Sequence, residues 1–157
     1  MDERQSIYEY VGGADAFLTL GTALNDRCVA DPVLNHPFSH PGHPQHLERL
    51  AGYLGEVFGG PPVYSELGGH SAMLNVHAGN GADDEFASRF LACFDQAVDD
   101  AGLPNDPNLR RVLHEYMVWA THDVDQYNPV GMTAPNDLAM PRWSWDGPVT
   151  PSNESSS

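Results

Sequence analysis

Four stripes of apolar residues at helical spacing run through this 157-residue chain, and they constrain its fold more than any other feature. Phe17, Leu20, Leu24 and Cys28 form the first, begun after Gly12-Gly13 and stopped by Pro32. Leu47, Leu50, Leu54, Val57 and Phe58 form the second, opened by Pro44 and closed by Gly59-Gly60-Pro61-Pro62. Phe86, Phe90, Phe94, Ala97 and Ala101 form the third, with Asp83, Asp84 and Glu85 at its positive end and Gly102-Leu103-Pro104 as its stop. Leu109, Val112, Leu113, Tyr116, Ala120 and Tyr127 form the fourth, ended by Asn128-Pro129. Period-2 alternation is hard to find, and Ile7 is the sole isoleucine, so the β-branched enrichment that marks strands is missing. The pattern predicts an all-α fold.

Two shorter pieces complete the organisation. Residues 6–11 read as a short first helix, and residues 63–81, with Gly68, Gly69, Gly79 and Gly81, as a loop carrying one or two helical turns. Residues 1–129 then make one domain. Residues 130–157 read as a Pro/Ser-rich C-terminal tail, partly disordered. Trp143 and Trp145 are unusual in such a tail and predict that part of it docks on the domain.

Charge narrows the partners. Asp and Glu number 22 against 7 cations, a formal charge of −15, and every cation is an arginine because the chain has no lysine. Such a surface repels phosphate backbones and anionic lipids, which argues against nucleic-acid and membrane-surface roles. No apolar run approaches the length of a membrane span. The opening Met1-Asp2-Glu3-Arg4-Gln5 lacks a basic-then-apolar leader, and two cysteines do not make a disulfide scaffold, so a cytoplasmic protein, monomer or homodimer, is expected.

Candidate chemistry centres on histidines, of which the chain has 8. His77 follows Met73 and Leu74 by four and three residues and runs into Ala78-Gly79-Asn80-Gly81. One helical turn would set apolar side chains beside the imidazole. That arrangement suits a single axial bond to a flat apolar cofactor such as haem, whose affinity comes mostly from burial of the macrocycle. The spacing is equally that of an ordinary half-buried histidine. The run His36-Pro37-Phe38-Ser39-His40-Pro41-Gly42-His43-Pro44-Gln45-His46 has spacings that a zinc or copper site could use, although its prolines impose an extended path. Within it His46 stands apart, because it shares a helical face with Leu50 and needs a partner there. Cys28 and Cys93 read as small buried hydrophobes.

The ordered landmarks resemble a known family. Tyr8-Glu9-Tyr10-Val11-Gly12-Gly13, Ala30-Asp31-Pro32-Val33-Leu34, Phe58-Gly59-Gly60-Pro61, Tyr64-Ser65-Glu66, Gly69-His70 and His77-Ala78 follow one another as in the truncated haemoglobins, most like their second group. So does the last helix, from Arg110-Arg111 through Tyr116 to Asn128-Pro129. The resemblance covers roughly residues 6–129. It implies a globin-like, two-over-two helical sandwich carrying haem, with His77 as the proximal iron ligand. It further implies Phe38 wedged against the haem, His46 at the distal position, Leu50 on the distal wall and Arg49 paired with a propionate. Tyr64 and His70 are further candidates for that edge, and Met73 and Phe90 are candidate cofactor contacts. Asn25 stands where the family usually carries a tyrosine that reaches the bound ligand, and Phe90 where the second group generally carries a tryptophan. Asn25 is shorter than tyrosine and is a distal ligand-binding candidate beside His46, whose imidazole can donate in place of both usual donors. If its helix moves inward, His46 is also a possible second iron ligand.

The function so implied is reversible binding of O2, or of NO or CO, at a histidine-ligated haem iron. A haem enzyme using the same pocket with a reductase, as a nitric-oxide dioxygenase or a peroxidase-like catalyst, is the alternative. A zinc or copper module on residues 36–46 is a third reading. No zinc-protease helix, nucleophile elbow, phosphate loop or dinucleotide fingerprint is present.

Overall fold

The computed structural model describes residues 5–32, 34, 46–67, 69–77, 84–127, 131, 133–135 and 138–149; within its helices, side chains 46, 67, 72, 75–77 and 84 lie outside that description. Phe38 and most of the histidine-rich run therefore fall outside the described residues. The described elements are helices α1 (Ile7–Val11), α2 (Ala14–Ala30), α3 (His46–Val57), α4 (Gly69–His77), α5 (Asp84–Asp100) and α6 (Pro107–Asp125). A 3-10 turn (Ser65–Leu67) precedes α4, and a two-stranded hairpin, β1 (Trp143–Ser144) with β2 (Gly147–Pro148), follows α6.

Local chemistry sets the boundaries. The Ser6 hydroxyl accepts the Glu9 N–H at 3.1 Å to cap α1. Gly12, at φ +121°, turns the chain out of it. Asp106 caps α6 by accepting the N–H groups of Asn108 and Leu109 at 2.8 and 3.2 Å, with Pro107 behind it. Asp31 closes α2 and accepts the Leu34 N–H at 3.2 Å.

The first stripe buries Phe17, Leu20, Leu24 and Cys28 together with Gly21. Helix α2 lies against both α3 and α5, and α5 against α6, which is the two-over-two arrangement. At the α2–α3 crossing Gly21 faces Leu50, where a Cβ would stand at ordinary contact distance, 3.4 Å from Leu50 Cδ2 and 3.9 Å from the Leu47 carbonyl. Along the α2–α5 seam Arg27 bonds Asp100 at 2.6 Å and Gln96 at 2.9 Å, and Arg89 bonds Asp31 at 3.1 Å. Between these pairs the buried free thiols of Cys28 and Cys93 meet, and burial pushes both thiols up from their ordinary value. An aromatic column runs through the centre: Tyr8 stacks on Phe17 at 5.7 Å, Phe17 on Phe58 at 6.0 Å, and Phe58 meets Tyr116 edge to face at 5.1 Å.

Residues 69–77 form a nine-residue helix, longer than the one or two turns the glycines suggest. Gly69, at φ +70°, lies at its first position rather than inside it, and its N–H bonds the Tyr64 carbonyl at 2.9 Å. Alone, a helix this short would not hold in water. It is held by burial of His70, Ser71 and Leu74, which a local reading of the sequence does not reveal.

After α6 the chain returns over the domain. Trp143 is 7% exposed and packs edge to face on Tyr116 at 5.6 Å, with Trp119 at 6.2 Å. Trp145 meets Tyr10 edge to face at 5.0 Å and donates its indole N–H to the Gln5 carbonyl at 2.7 Å. The docking expected of the two tryptophans is present. The hairpin carrying them was invisible to a period-2 search because each strand has two residues.

Candidate functional site

Apart from Tyr64, the described candidate residues lie on four helices, α2 to α5. On α3, positions 46, 49, 50 and 53 recur at helical spacing, so they share one side of the helix. Leu50 is half-buried against Gly21 of α2. Asn25, one turn beyond Gly21, is also half-buried. On α4, Met73 precedes His77 by four residues, and His77 closes the helix. Helix α5 contributes Phe86 and Phe90, spaced one turn apart. Leu50, Met73, Phe86 and Phe90 are partly buried and pack on the rim of the core rather than in it. The side chains of His46 and His77 lie outside the described residues, so only their helical positions are given.

Arg49 is the cation of this region. Its Nε is buried and donates to no acceptor among the described residues. A buried unmatched donor is costly, and the deficit is largest for a charged group. Tyr64 lies nearby: burial raises its phenol pKa, and the Arg49 guanidinium pulls it part of the way back.

His70 is buried and engaged on both ring nitrogens. It is 5% exposed; its Nδ1 lies 2.7 Å from the Tyr53 hydroxyl and its Nε2 2.7 Å from Asp123 Oδ2. A propionate would have to displace one of these partners. Tyr53 is buried and meets Tyr64 edge to face at 5.1 Å; burial drives its phenol pKa far up. Sequence reasoning missed Tyr53 and Asp123. Position 53 had a signal, falling one turn after Arg49 on the same side of α3, whereas the contact between residues 70 and 123 has no local trace.

A buried carboxylate was also missed. Glu56, 1% exposed, accepts the Ser65 N–H at 2.9 Å and the Ser65 hydroxyl, with Arg142 Nη2 at 3.7 Å. It ties the turn before α4, and the returning tail, to the end of α3. A further link joins the tail to α4, where the Ser71 hydroxyl accepts the Leu138 N–H at 2.9 Å. Among the described residues no group of three His, Cys, Asp or Glu converges as a metal site, and no helix is long and apolar enough to cross a membrane.

The family model for bacterial-like globins matches residues 6–122, a span that takes in α1 to α5 and most of α6. The chain belongs to the bacterial-like globin family. Among curated relatives this globin is 32% identical over 78 residues to the group 2 truncated hemoglobin YjbI of Bacillus subtilis, covering 47% of this chain and 59% of that one. It is 26% identical over 104 residues to group 2 truncated hemoglobin 3-1 of Lotus japonicus, covering 65% of this chain and 62% of that one. The matches thus span about three-fifths of those relatives. Among solved structures, the thermostable hemoglobin of Thermobifida fusca superposes with TM-score 0.63 at 34% identity, covering 76% of this chain and 96% of that one. The hemoglobin of Chloroflexus aurantiacus gives 0.67 at 30%, covering 77% and 98%. The group II truncated hemoglobin of Bacillus anthracis gives 0.66 at 21%, covering 82% and 95%, a likeness of fold alone. The globin is thus most like the group II truncated haemoglobins, and haem is the cofactor of the haemoglobin family.

Proposed function

We propose that this globin binds haem through His77 and reversibly binds O2, or another diatomic gas such as NO or CO, on the opposite side of the ring. The observation that carries this reading is the family match over residues 6–122, which takes in both α3, beginning at His46, and α4, ending at His77. The residues present fit the group. Half-buried Leu50, Met73 and Phe90 offer apolar contact to a macrocycle, and the unmatched buried Nε of Arg49 is the donor a propionate would accept from.

When bound, haem would supply an iron centre able to bind a diatomic gas. The chain's own residues then divide the work. His77, at the end of α4, would hold that iron through an imidazole nitrogen. Burial of Leu74 and Ser71 and the bonds of His70 hold that helix in place, and Tyr64 and Glu56 fix the turn that enters it. Leu50 and Phe90 exclude water from the ligand side. His46 donates a hydrogen bond to the bound gas, offsetting the shorter reach of Asn25 and the absent indole N–H at Phe90; one such bond is worth about 0.5–1.5 kcal/mol, or roughly threefold to tenfold in ligand escape.

The test is an absorption spectrum of the purified protein, reduced, with and without carbon monoxide. A haem Soret band that shifts on carbon monoxide addition is expected. A colourless protein that also fails to take up added haemin would end the reading.

A further inference from the structure

We propose that Tyr53 is a redox-active tyrosine, a buried phenol that gives one electron to an oxidant held beside α3 while its proton passes to His70. The inference rests on the haem reading only for the native oxidant, a peroxide acting through the bound cofactor. The donor itself is defined by the geometry of this chain.

Tyr53 lies one turn after Arg49 and three residues after Leu50, on the side of α3 assigned to the pocket. It is 4% exposed, so a proton lost on oxidation has no direct route to bulk water. Removing an electron from a phenol makes its hydroxyl strongly acidic, and without a nearby base the resulting cation is prohibitive in a buried site. The base is present. The Tyr53 hydroxyl lies 2.7 Å from His70 Nδ1, and His70 Nε2 lies 2.7 Å from Asp123 Oδ2. With Nε2–H donating to Asp123, Nδ1 is the acceptor that faces the phenol. Asp123 is oriented in turn by the Gln126 side-chain amide, which donates to Oδ1 at 2.7 Å. Trp119 stacks on the imidazole at 6.2 Å and covers the pair on its outer side. Neighbouring Tyr64 meets Tyr53 edge to face, but the imidazole is bonded to Tyr53.

The step balances. Tyr53 loses one electron to a one-electron oxidant, its O–H bond breaks, and the proton forms an N–H bond at His70 Nδ1. The products are a neutral tyrosyl radical, an imidazolium paired with the Asp123 carboxylate, and an oxidant reduced by one electron.

The experiment uses the purified full-length protein in a background carrying Tyr10→Phe and Tyr127→Phe, with laser-generated ruthenium(III) tris(bipyridine) as outer-sphere oxidant. Radicals are trapped by freezing and read by electron paramagnetic resonance. A neutral tyrosyl signal is expected that vanishes in Tyr53→Phe and survives in Tyr64→Phe. His70→Gln is expected to lower its rate of formation roughly tenfold, the effect of losing one well-placed hydrogen-bonded base. Persistence of the signal in Tyr53→Phe, or an unchanged rate in His70→Gln, overturns the proposal. A second arm treats the ferric protein with hydrogen peroxide. A colourless protein that still gives the Tyr53 radical with ruthenium would remove the haem reading and leave the donor site standing. A haem-loaded protein whose radical sits on another residue removes the donor site alone.

Discussion

Replacing Trp143 by alanine tests how the chain beyond α6 is attached. The indole is 7% exposed and packs on Tyr116 and Trp119 at ring separations of 5.6 and 6.2 Å. A buried tryptophan takes roughly 200–250 Å² out of water, which at about 25 cal/mol per Å² is about 5–6 kcal/mol against an extended chain. A realistic unfolded ensemble already hides part of that area and brings the figure to about 3–4 kcal/mol. The loss is further capped, because once the hairpin undocks locally nothing more can be lost by weakening it. Trp145 and the Arg142–Glu56 pair still hold the segment, so the expected cost is about 2–3 kcal/mol, or roughly 4–12 °C in melting temperature for a chain of this size. Urea unfolding followed by far-ultraviolet circular dichroism measures it, with Trp143→Phe as the conservative control that retains the ring contact. A change below about 0.5 kcal/mol, the level of an ordinary surface substitution, would refute the docking argument.

Three further outcomes are expected. In Gly60→Ala the new Cβ would lie 2.6 Å from two Tyr8 ring carbons and 2.8 Å from the Gly55 carbonyl, so a loss of about 1–3 kcal/mol should appear in the same urea titration. Asp106 accepts the N–H groups of Leu109 and Asn108 and the Tyr10 hydroxyl, which holds its carboxyl below the ordinary 3.8. Its contribution is therefore present above that value and lost as pH falls through the lower folded one. Asp106→Asn keeps a capping side chain and should flatten the acid limb of the urea midpoint below about pH 4; an unchanged limb contradicts the assignment. Arg49→Ala should speed haem loss to an apoglobin acceptor by roughly twofold to fivefold, the scale of one partly screened ion pair, and an unchanged rate would remove its propionate role.

Much of the fold was legible in the sequence, because the stripes at 17–28, 47–58, 86–101 and 109–127 carry their own period and their own stops, although the last helix ends at Asp125, short of Tyr127. Helix α4 was underestimated, since its stability comes from Ser71 and Leu74 buried against other elements rather than from nine local residues. The short hairpin was unreadable for a related reason: Trp143 and Trp145 gain their meaning from Tyr116 and Tyr10, distant in the chain. At the site, Arg49, Leu50, Met73 and Phe90 are proposed from helical spacing and family likeness. The Tyr53–His70–Asp123 chain was not legible, because two of its members meet across 53 residues of sequence with no motif to mark them. His70 is instructive, for the same landmark that marked the family also suggested a pocket-edge role, and the side chain is engaged on both nitrogens.

The central claim is that the imidazole at the end of α4 grips the haem iron. Resonance Raman spectroscopy of the ferrous protein beside its His77→Gly variant tests it directly. The account predicts an iron–histidine stretching band in the parent, its loss in the variant, and its return when free imidazole fills the space left by the side chain. A band of unchanged position and intensity in His77→Gly would contradict the account.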